Sequence, residues 1–284
     1  MSDVVPLRRV ISEAVDALTA GGVASPRVDA ELLLAHALGT SRGRLLLVDA
    51  VPATVSQRYA ALVARRAARE PLQHLTGVAH FRGVELSVGP GVFVPRPETE
   101  LLAGWAVERA GEVNGRQPVV VDLCTGSGAI AKAVAHEVPQ ARVVAVELDP
   151  AAAAWAVRNL SGTGVDFREG DMATAAGDLA GEVDVVVCNP PYIPLEAWES
   201  VAVEARDHDP ELALFSGNDG LDAMRVLERT AAGLLRAGGV VGAEHAEVQH
   251  DVAPAVFRAT GRWRDVRDHP DLTGRARYLT ARLG

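Results

Sequence analysis

The chain has 284 residues, a formal net charge of −9 and 48% hydrophobic residues. This composition excludes disordered and collagen-like proteins, and the length favours two unequal globular domains over one. No apolar run reaches the roughly 20 residues that cross a bilayer, and charges interrupt the apolar pattern of residues 1–18. We therefore expect neither a membrane span nor a signal peptide. Two cysteines, Cys124 and Cys188, are too few for a disulfide framework, which favours the reducing cytoplasm.

Residues 1–75 carry apolar side chains at helical spacing and predict a small all-α domain. Breaks are expected at Gly21-Gly22, at residues 39–41 and at Val51-Pro52, where Thr54 or Ser56 would cap the next helix. This segment has nine arginines against seven acidic residues, hence a charge of +2, which leaves −11 for the rest of the chain. The difference supports a domain boundary.

Three arginines of this segment, Arg65, Arg66 and Arg69, lie close together on a predicted helix. They form either a basic patch for a partner or, as the preferred interpretation, an ordinary solvated face.

Alternating apolar residues predict a β-hairpin connector over residues 76–97. From residue 98 onward, a helix to Arg109 is followed by short β-branched runs that alternate with helical stretches. The strands are expected at residues 119–123, 142–147, 165–168, 183–188 and 239–243, with a closing antiparallel pair at 263–266 and 277–281. The pattern predicts right-handed βαβ units and a mostly parallel sheet over residues 98–284.

A glycine-rich loop follows the first of these strands, with Gly126 and Gly128 inside Asp122-Leu123-Cys124-Thr125-Gly126-Ser127-Gly128-Ala129. The next strand ends in Glu147, about 20 residues later, where a carboxylate can bind both hydroxyls of a ribose. The spacing predicts a nucleoside site, although a βα turn without a ligand has the same pattern.

The loop alone leaves the ligand open. A dinucleotide places a pyrophosphate at the helix N-terminus, whereas S-adenosylmethionine has an amino group that favours a carboxylate such as that of Asp122. Asp171 and Met172 follow the third strand and are expected over the same crevice, near the adenine. Asp171 as a helix cap is the alternative.

The segment Asn189-Pro190-Pro191-Tyr192 ends the fourth strand. Because neither proline has an N–H group, the chain must leave the parallel ladder there, at the sheet edge where ligands bind. The Asn189 side-chain oxygen and the Pro190 carbonyl would accept the two hydrogens of a planar NH2 group. Together they would stabilise the positive charge that develops when that nitrogen attacks a sulfonium methyl group.

With these motifs, four further segments resemble the bacterial peptide-chain release-factor glutamine methyltransferases over nearly the whole chain. The segments are Phe93-Val94-Pro95-Arg96-Pro97-Glu98-Thr99-Glu100, Asp209–Gly217, Asp219-Gly220-Leu221 and Asp271-Leu272-Thr273-Gly274-Arg275. Glu147, Met172 and Cys124 differ from the residues most common in that family, where an aspartate, an aromatic residue and a glycine are usual.

The resemblance implies a Rossmann-like class I methyltransferase domain with a seven-stranded, mostly parallel sheet over residues 98–284, a hairpin over 76–97 and a substrate-docking helical domain over 1–75. It implies methyl transfer from S-adenosylmethionine to the glutamine amide of the Gly-Gly-Gln motif of class I release factors. The implied catalytic residues are Asn189, Pro190 and Tyr192, with Pro191 also contacting substrate. The implied cofactor residues are Cys124, Thr125, Gly126, Ser127, Gly128, Glu147, Asp171, Met172 and Asn189.

Other functions share parts of these signals. They are glutamine methylation of a ribosomal protein, adenine-N6 methylation of nucleic acid, a nicotinamide-dependent oxidoreductase and a binding module without catalysis. The acidic C-terminal part disfavours a nucleic-acid substrate, and an oxidoreductase has no use for Asn-Pro-Pro-Tyr. The histidines have no metal-ligand spacing, so no metal is expected. We expect a cytoplasmic monomer that binds neither nucleic acid nor membrane.

Overall fold

The computed structural model describes residues 4–284. Its helices are α1 (Leu7–Ala20), α2 (Pro26–Leu38), α3 (Ala53–Ala67), α4 (Leu72–Thr76), α5 (Thr99–Gly111), α6 (Ala129–Glu137), α7 (Pro150–Leu160), α8 (Val203–His208), α9 (Glu211–Leu214), α10 (Asp222–Leu234) and α11 (Val252–Arg258). Its strands are β1 (Val4–Pro6), β2 (Ala50–Pro52), β3 (Val78–Phe81), β4 (Val84–Ser87), β5 (Val119–Leu123), β6 (Arg142–Glu147), β7 (Asp166–Glu169), β8 (Val183–Cys188), β9 (Leu235–Glu244), β10 (Trp263–Pro270) and β11 (Ala276–Leu283).

The contacts divide the chain into two units. One comprises the chain up to Val78 together with Ala202–His208, and the other comprises Ala79–Val201 and Asp209–Gly284. Helix α8, which follows β8 by fifteen residues in sequence, therefore packs with the N-terminal helices. Nothing in the sequence predicted this placement.

The first unit has a core of helix faces, as the apolar spacing predicted, but β1 and β2 form an antiparallel pair, so the unit is not all-α. In α1, the buried residues Val10, Ala14 and Leu18 recur every four positions and form one stripe. Helix α3 begins at Ala53, after Pro52, with no side-chain cap. The expected capping by Thr54 or Ser56 is wrong, because proline already fixes a backbone angle suited to entering the helix and both residues lie inside its first turns.

Ion pairs within the first unit occupy the three clustered arginines. Arg66 is buried, with Nε 2.8 Å from Asp29 Oδ2 and Nη1 2.8 Å from Glu204 Oε1. Arg69 Nε also lies 3.0 Å from Glu204 Oε1, and Arg65 pairs with Glu70. The interpretation as a solvated face is wrong for Arg66, because its guanidinium is buried and paired with two carboxylates, as a buried charge needs to be.

The second unit contains a seven-stranded sheet in the order β10-β11-β9-β8-β5-β6-β7. The pairs β6–β7, β5–β6, β5–β8 and β8–β9 are parallel, whereas β9–β11 and β10–β11 are antiparallel. The predicted fold class and strands are confirmed. Strand β9 begins earlier than predicted, at Leu235, because its pairing with β8 continues past the glycines after a register shift.

Alternating side chains of the sheet enter two cores. Val120 and Val185 pack with α5, α6 and α7 on one face, while Val121 and Val186 pack with α10 and α11 on the other. Because both faces are covered, β8 is buried along its whole length. Among residues 4–284, no helix is both long and apolar enough to cross a membrane.

Register aligns the carboxyl ends of the central strands. Leu123 at the end of β5 pairs with both Val146 of β6 and Cys188 of β8, and Cys188 pairs with Ala243 of β9. The residues that follow these positions, including Glu147, Asn189 and Glu244, therefore meet at one edge of the sheet.

Candidate active site

A cavity of about 480 Å³ opens at the carboxyl edge of β5, β6 and β8. This volume lies within the range of small-molecule sites, and the crevice beyond the strand ends is where open α/β sheets bind ligands. Its walls come from the segments around Pro95, Gly126, Glu147, Asp171 and Asn189, together with residues of 210–217.

The glycine loop forms its sharp turn through left-handed backbone angles. The φ angle is +58° at Cys124, +58° at Gly126 and +84° at Gly128. A Cβ atom on Gly128 would lie 3.0 Å from Leu160 Cγ, so a larger residue would crowd the packing of α6 on α7. Cys124 adopts a left-handed angle although it is not glycine. This angle explains why glycine, which adopts it without strain, suits the position.

Asp122 supports this loop from inside the protein. Its Oδ2 accepts hydrogen bonds from Thr125 Oγ1 at 2.5 Å and from the Ala131 backbone N–H at 3.0 Å. Burial raises the pKa of Asp122 to about 7. Asp122 does not line the cavity, and its Oδ1 has no hydrogen-bond partner among the described residues. Its expected role as the carboxylate for a ligand amino group stays a prediction.

Glu147 connects the glycine loop to the turn after β6. Its Oε2 accepts from the Gly126 N–H at 2.7 Å, and its Oε1 accepts from the N–H groups of Leu148 and Asp149, both at 2.9 Å. Burial raises the pKa of Glu147, and these three donors oppose the rise. The carboxylate lines the cavity, and three donors for two oxygens leave a lone pair for a further hydrogen bond.

Asp171 and Met172 form the part of the cavity wall that follows β7. Asp171 Oδ1 accepts from the Ala173 N–H at 2.8 Å, so it also stabilises its own turn. Met172 Sδ lies 3.9 Å from Cys124 Sγ. Cys124 and Cys188 lie at the ends of adjacent strands, and burial together with the neighbouring Cys124 raises the pKa of Cys188.

The Asn189–Tyr192 segment leaves the sheet and pairs with residues 214–217. The Ile193 N–H donates to Leu214 O at 2.8 Å, and the Ser216 N–H donates to Ile193 O at 2.9 Å. Gln249 Nε2 donates to Tyr192 O at 3.0 Å. A Cβ atom on Gly220 would lie 2.3 Å from that same carbonyl, so Asp219-Gly220-Leu221 can pass the segment only with glycine at its centre.

Two residues that the sequence analysis assigned no role lie behind Asn189. Thr99, the first residue of α5, lies with Oγ1 3.4 Å from Asn189 Nδ2 and donates to Glu244 Oε2 at 2.7 Å. The Tyr192 hydroxyl donates to Glu244 Oε1 at 3.2 Å. Burial raises the pKa of Glu244 to about 7. The sequence could have indicated Glu244 through its position directly after an apolar run, at the edge of the sheet where ligands bind.

The structure brings most of the predicted site residues to one cavity. Those that line it are Cys124, Thr125, Gly126, Ser127, Glu147, Asp171, Met172, Asn189, Pro191 and Tyr192. Gly128 and Pro190 are not part of the lining; Gly128 shapes the loop, and Pro190 is buried. The roles of all these residues remain predictions.

Two family models match the chain. Residues 9–77 match the PrmC N-terminal domain, and residues 120–208 match a methyltransferase domain. Among solved structures, the catalytic domain of human Mettl16 in complex with an RNA hairpin aligns with a TM-score of 0.55 at 16% identity, over 78% of this chain and 81% of that one. At this identity the likeness shows the fold alone.

Relatives of known name align over nearly the full length. The release factor glutamine methyltransferase of Streptomyces coelicolor is 57% identical over 96% of each chain. The 4-amino-L-phenylalanine/4-methylamino-L-phenylalanine methyltransferase of Streptomyces pristinaespiralis is 44% identical over 93% of this chain and 91% of its own. With the fold, the Asn-Pro-Pro-Tyr element and the matching N-terminal domain in agreement, the chain belongs to the release factor glutamine methyltransferase family.

Proposed function

We propose that this protein transfers a methyl group from S-adenosylmethionine to the side-chain amide nitrogen of the glutamine in the Gly-Gly-Gln motif of class I release factors. The observation that carries the proposal is the position of Asn189, Pro191 and Tyr192 beside the glycine loop and Glu147 in one cavity. The 57% identical relative named for this activity supports the same substrate.

The cavity fits S-adenosylmethionine, which supplies an electrophilic sulfonium methyl group when bound. Glu147 would accept hydrogen bonds from the ribose hydroxyls through the lone pairs that its three backbone donors leave free. The positive φ of Gly126, where a Cβ atom would meet only open space, allows the backbone of the loop to contact the ligand closely. Asp171 and Met172 would hold the adenine, and residues 124–128 would cradle the rest of the cofactor.

Asn189 and Pro190 act on the substrate nitrogen. An amide nitrogen is a weak nucleophile because its lone pair is delocalised into the carbonyl group. The Asn189 side-chain oxygen and the Pro190 carbonyl would accept its two hydrogens and so stabilise the positive charge that develops there. Each acceptor contributes about 2–4 kcal/mol by analogy with single oxyanion-hole donors, and fixed alignment contributes roughly 7–11 kcal/mol.

Apolar side chains would exclude water from the reacting nitrogen. Phe93, Pro95, Leu212 and Phe215 line the cavity with Tyr192. In such surroundings the hydrogen bonds to the nitrogen are stronger than in water. No general base is required, since a methylated amide nitrogen that carries a positive charge loses its proton readily.

We further propose that the helical domain over residues 1–75 docks the release factor and that residues 98–284 perform catalysis. A small cavity cannot by itself select one protein among many. The charge of −11 beyond residue 75 favours a protein substrate over a phosphate backbone. The same negative charge disfavours direct binding of nucleic acid, and we also propose a cytoplasmic monomer.

A second candidate is methylation of an aromatic amine, which is favoured by the 44% identical relative named for 4-amino-L-phenylalanine. An aniline nitrogen is also planar, carries two hydrogens and suits the same two acceptors. The Asn-Pro-Pro-Tyr element therefore cannot distinguish the two substrates. Any selection between them must come from the residues around that element.

The test uses the full chain, labelled S-adenosylmethionine and four substrates in parallel: a class I release factor, the same protein with its motif glutamine replaced, 4-amino-L-phenylalanine and a ribosomal protein fraction. We expect labelling of the intact release factor alone, with the methyl group mapped to the glutamine by mass spectrometry. Labelling of the amino acid instead, or equal labelling of the two release factors, would refute the proposed substrate.

A further inference from the structure

The hydrogen bonds behind Asn189 form a chain that ends on a buried carboxylate. Thr99 and Glu244 are both buried, at 4% and 2% exposure, on α5 and β9 respectively. The Glu244 oxygens lie 2.7 Å from Thr99 Oγ1 and 3.2 Å from the Tyr192 hydroxyl. One carboxylate thus holds two residues of the cavity wall, and one of these, Thr99, contacts Asn189.

The number of hydrogens decides how these groups are oriented. A hydroxyl carries one hydrogen, and an ionised carboxylate can only accept. The Thr99 hydrogen must therefore point to Glu244, which leaves Thr99 Oγ1 able only to accept from Asn189. The amide of Asn189 satisfies this by presenting Nδ2 to Thr99, and its oxygen Oδ1 faces away.

We propose that Glu244, acting through Thr99, is a positioning residue that fixes the Asn189 amide with its oxygen presented to the substrate nitrogen. The inference rests on the proposed function, because it concerns how that nitrogen is bound. The inverted amide would present two N–H donors to a substrate NH2 group that itself needs acceptors. Orientation of Asn189 is therefore a condition for catalysis and not merely for packing.

Protonation of Glu244 reverses the chain of hydrogen bonds. Burial raises the pKa of Glu244 to about 7; Glu98 adds to the rise, and Thr99, Arg277 and Tyr192 oppose it. A protonated carboxyl can donate to Thr99, whose own hydrogen then turns to Asn189 and selects the inverted amide. Since the ionised form is the active one, kcat falls as the pH drops below about 7.

The test compares Thr99→Val with Thr99→Ser in the full chain, at saturating S-adenosylmethionine and with a class I release factor as substrate. Valine has the shape of threonine without the hydroxyl, whereas serine keeps the hydroxyl. We expect Thr99→Val to lower kcat about tenfold, which corresponds to the loss of one hydrogen bond. It should also abolish the acidic limb of the kcat–pH profile, and Thr99→Ser should restore both. Dissociation constants for S-adenosylhomocysteine should agree within about twofold and so report intact folding.

A second pair of variants tests the carboxylate itself. Glu228 is also buried, and it accepts from a threonine and an aromatic residue, Thr260 Oγ1 at 3.0 Å and Trp263 Nε1 at 2.7 Å, outside the cavity lining. Glu244→Gln should lower kcat and remove the acidic limb. Glu228→Gln, the matched control, should change thermal stability without changing kcat or the profile.

Two outcomes overturn the positioning role while the wild type remains active: equal loss of kcat in Thr99→Val and Thr99→Ser, or an acidic limb that persists unchanged in Thr99→Val. Failure of the wild type to methylate any of the substrates would instead refute the proposed function, and the inference with it.

Discussion

Replacing Asn189 by alanine isolates the contribution of one acceptor. The backbone of its segment is held by bonds that do not involve this side chain, namely Ile193 N–H to Leu214 O at 2.8 Å and Gln249 Nε2 to Tyr192 O at 3.0 Å. The side chain itself makes one long contact, 3.4 Å from Thr99 Oγ1. The substitution should therefore leave the segment in place and remove only the acceptor.

The expected loss is about 2–4 kcal/mol of transition-state stabilisation, or roughly 30-fold to 1,000-fold in rate. Because the acceptor acts as the nitrogen becomes positively charged, the loss should be seen in kcat as well as in kcat/KM. Asn189→Asp retains an acceptor and should keep part of the activity. Affinity for S-adenosylhomocysteine should change little in either variant, since Glu147 and the glycine loop are untouched.

The assay is single-turnover transfer of a labelled methyl group to a release factor, with S-adenosylmethionine saturating and binding measured separately by calorimetry. Asn114→Ala, at an exposed position outside the cavity lining, serves as the control. Transfer by Asn189→Ala at the wild-type rate would refute the proposed activation of the amide and leave Asn-Pro-Pro-Tyr as a structural turn.

Three further predictions test the cofactor site, the domain roles and the buried carboxylates. Glu147→Ala should weaken S-adenosylhomocysteine binding about tenfold to a hundredfold, from loss of roughly 1.5–3 kcal/mol; an unchanged calorimetric constant would place the ribose elsewhere. Deletion of residues 1–75 should preserve that binding but greatly reduce methylation of intact release factor, and equal activity of both chains would contradict docking. As the pH rises from about 5 to 7, the melting temperature of Asp122→Asn should fall less than that of the wild type. Equal slopes of melting temperature against pH would contradict the raised pKa of Asp122.

The sign of the last effect follows from the raised pKa of Asp122, about 7 when folded against the usual 3.8. Between these values the folded protein binds a proton that the unfolded chain has released. The free energy of unfolding therefore falls as the pH rises through this window. Glu244 contributes in the same direction, so the slope in Asp122→Asn should decrease without disappearing.

Much of the fold was predictable because the central strands are buried on both faces. Runs such as Val183–Cys188, apolar except for Asp184, end at polar or proline-containing segments, which marks both the strand and its ligand edge. The segment between β8 and α10 gave no such signal. Its helices are too short to carry an apolar stripe from which they could be predicted. One of them, α8, packs with a part of the chain that is distant in sequence.

The positions of the site residues were predictable where a residue type has a local reason, and they were not predictable where the reason is tertiary. Gly126 lies at a left-handed turn, and the two prolines end the strand because neither has an N–H group. Asp122 has the right chemistry for a ligand amino group, but it is buried, and its Oδ2 accepts from the Ala131 N–H and the Thr125 hydroxyl. Glu244 was missed because its partners lie on α5 and in the segment after β8, far away in the sequence.

The segments that carry the family resemblance are far apart in sequence yet support one another in space. Arg96 of the first pairs with Asp209 of the next at 2.7 Å. Asp271 of the last accepts from Arg277 at 3.2 Å, and the charge of Arg277 acts on both Glu244 and Tyr192. A glycine loop with an acidic residue needs only a nucleoside ligand, so many enzymes contain one. The proposed substrate amide adds the requirement that Asn189 and Tyr192 be held in place, which these paired segments meet and which a nucleoside ligand alone would not impose.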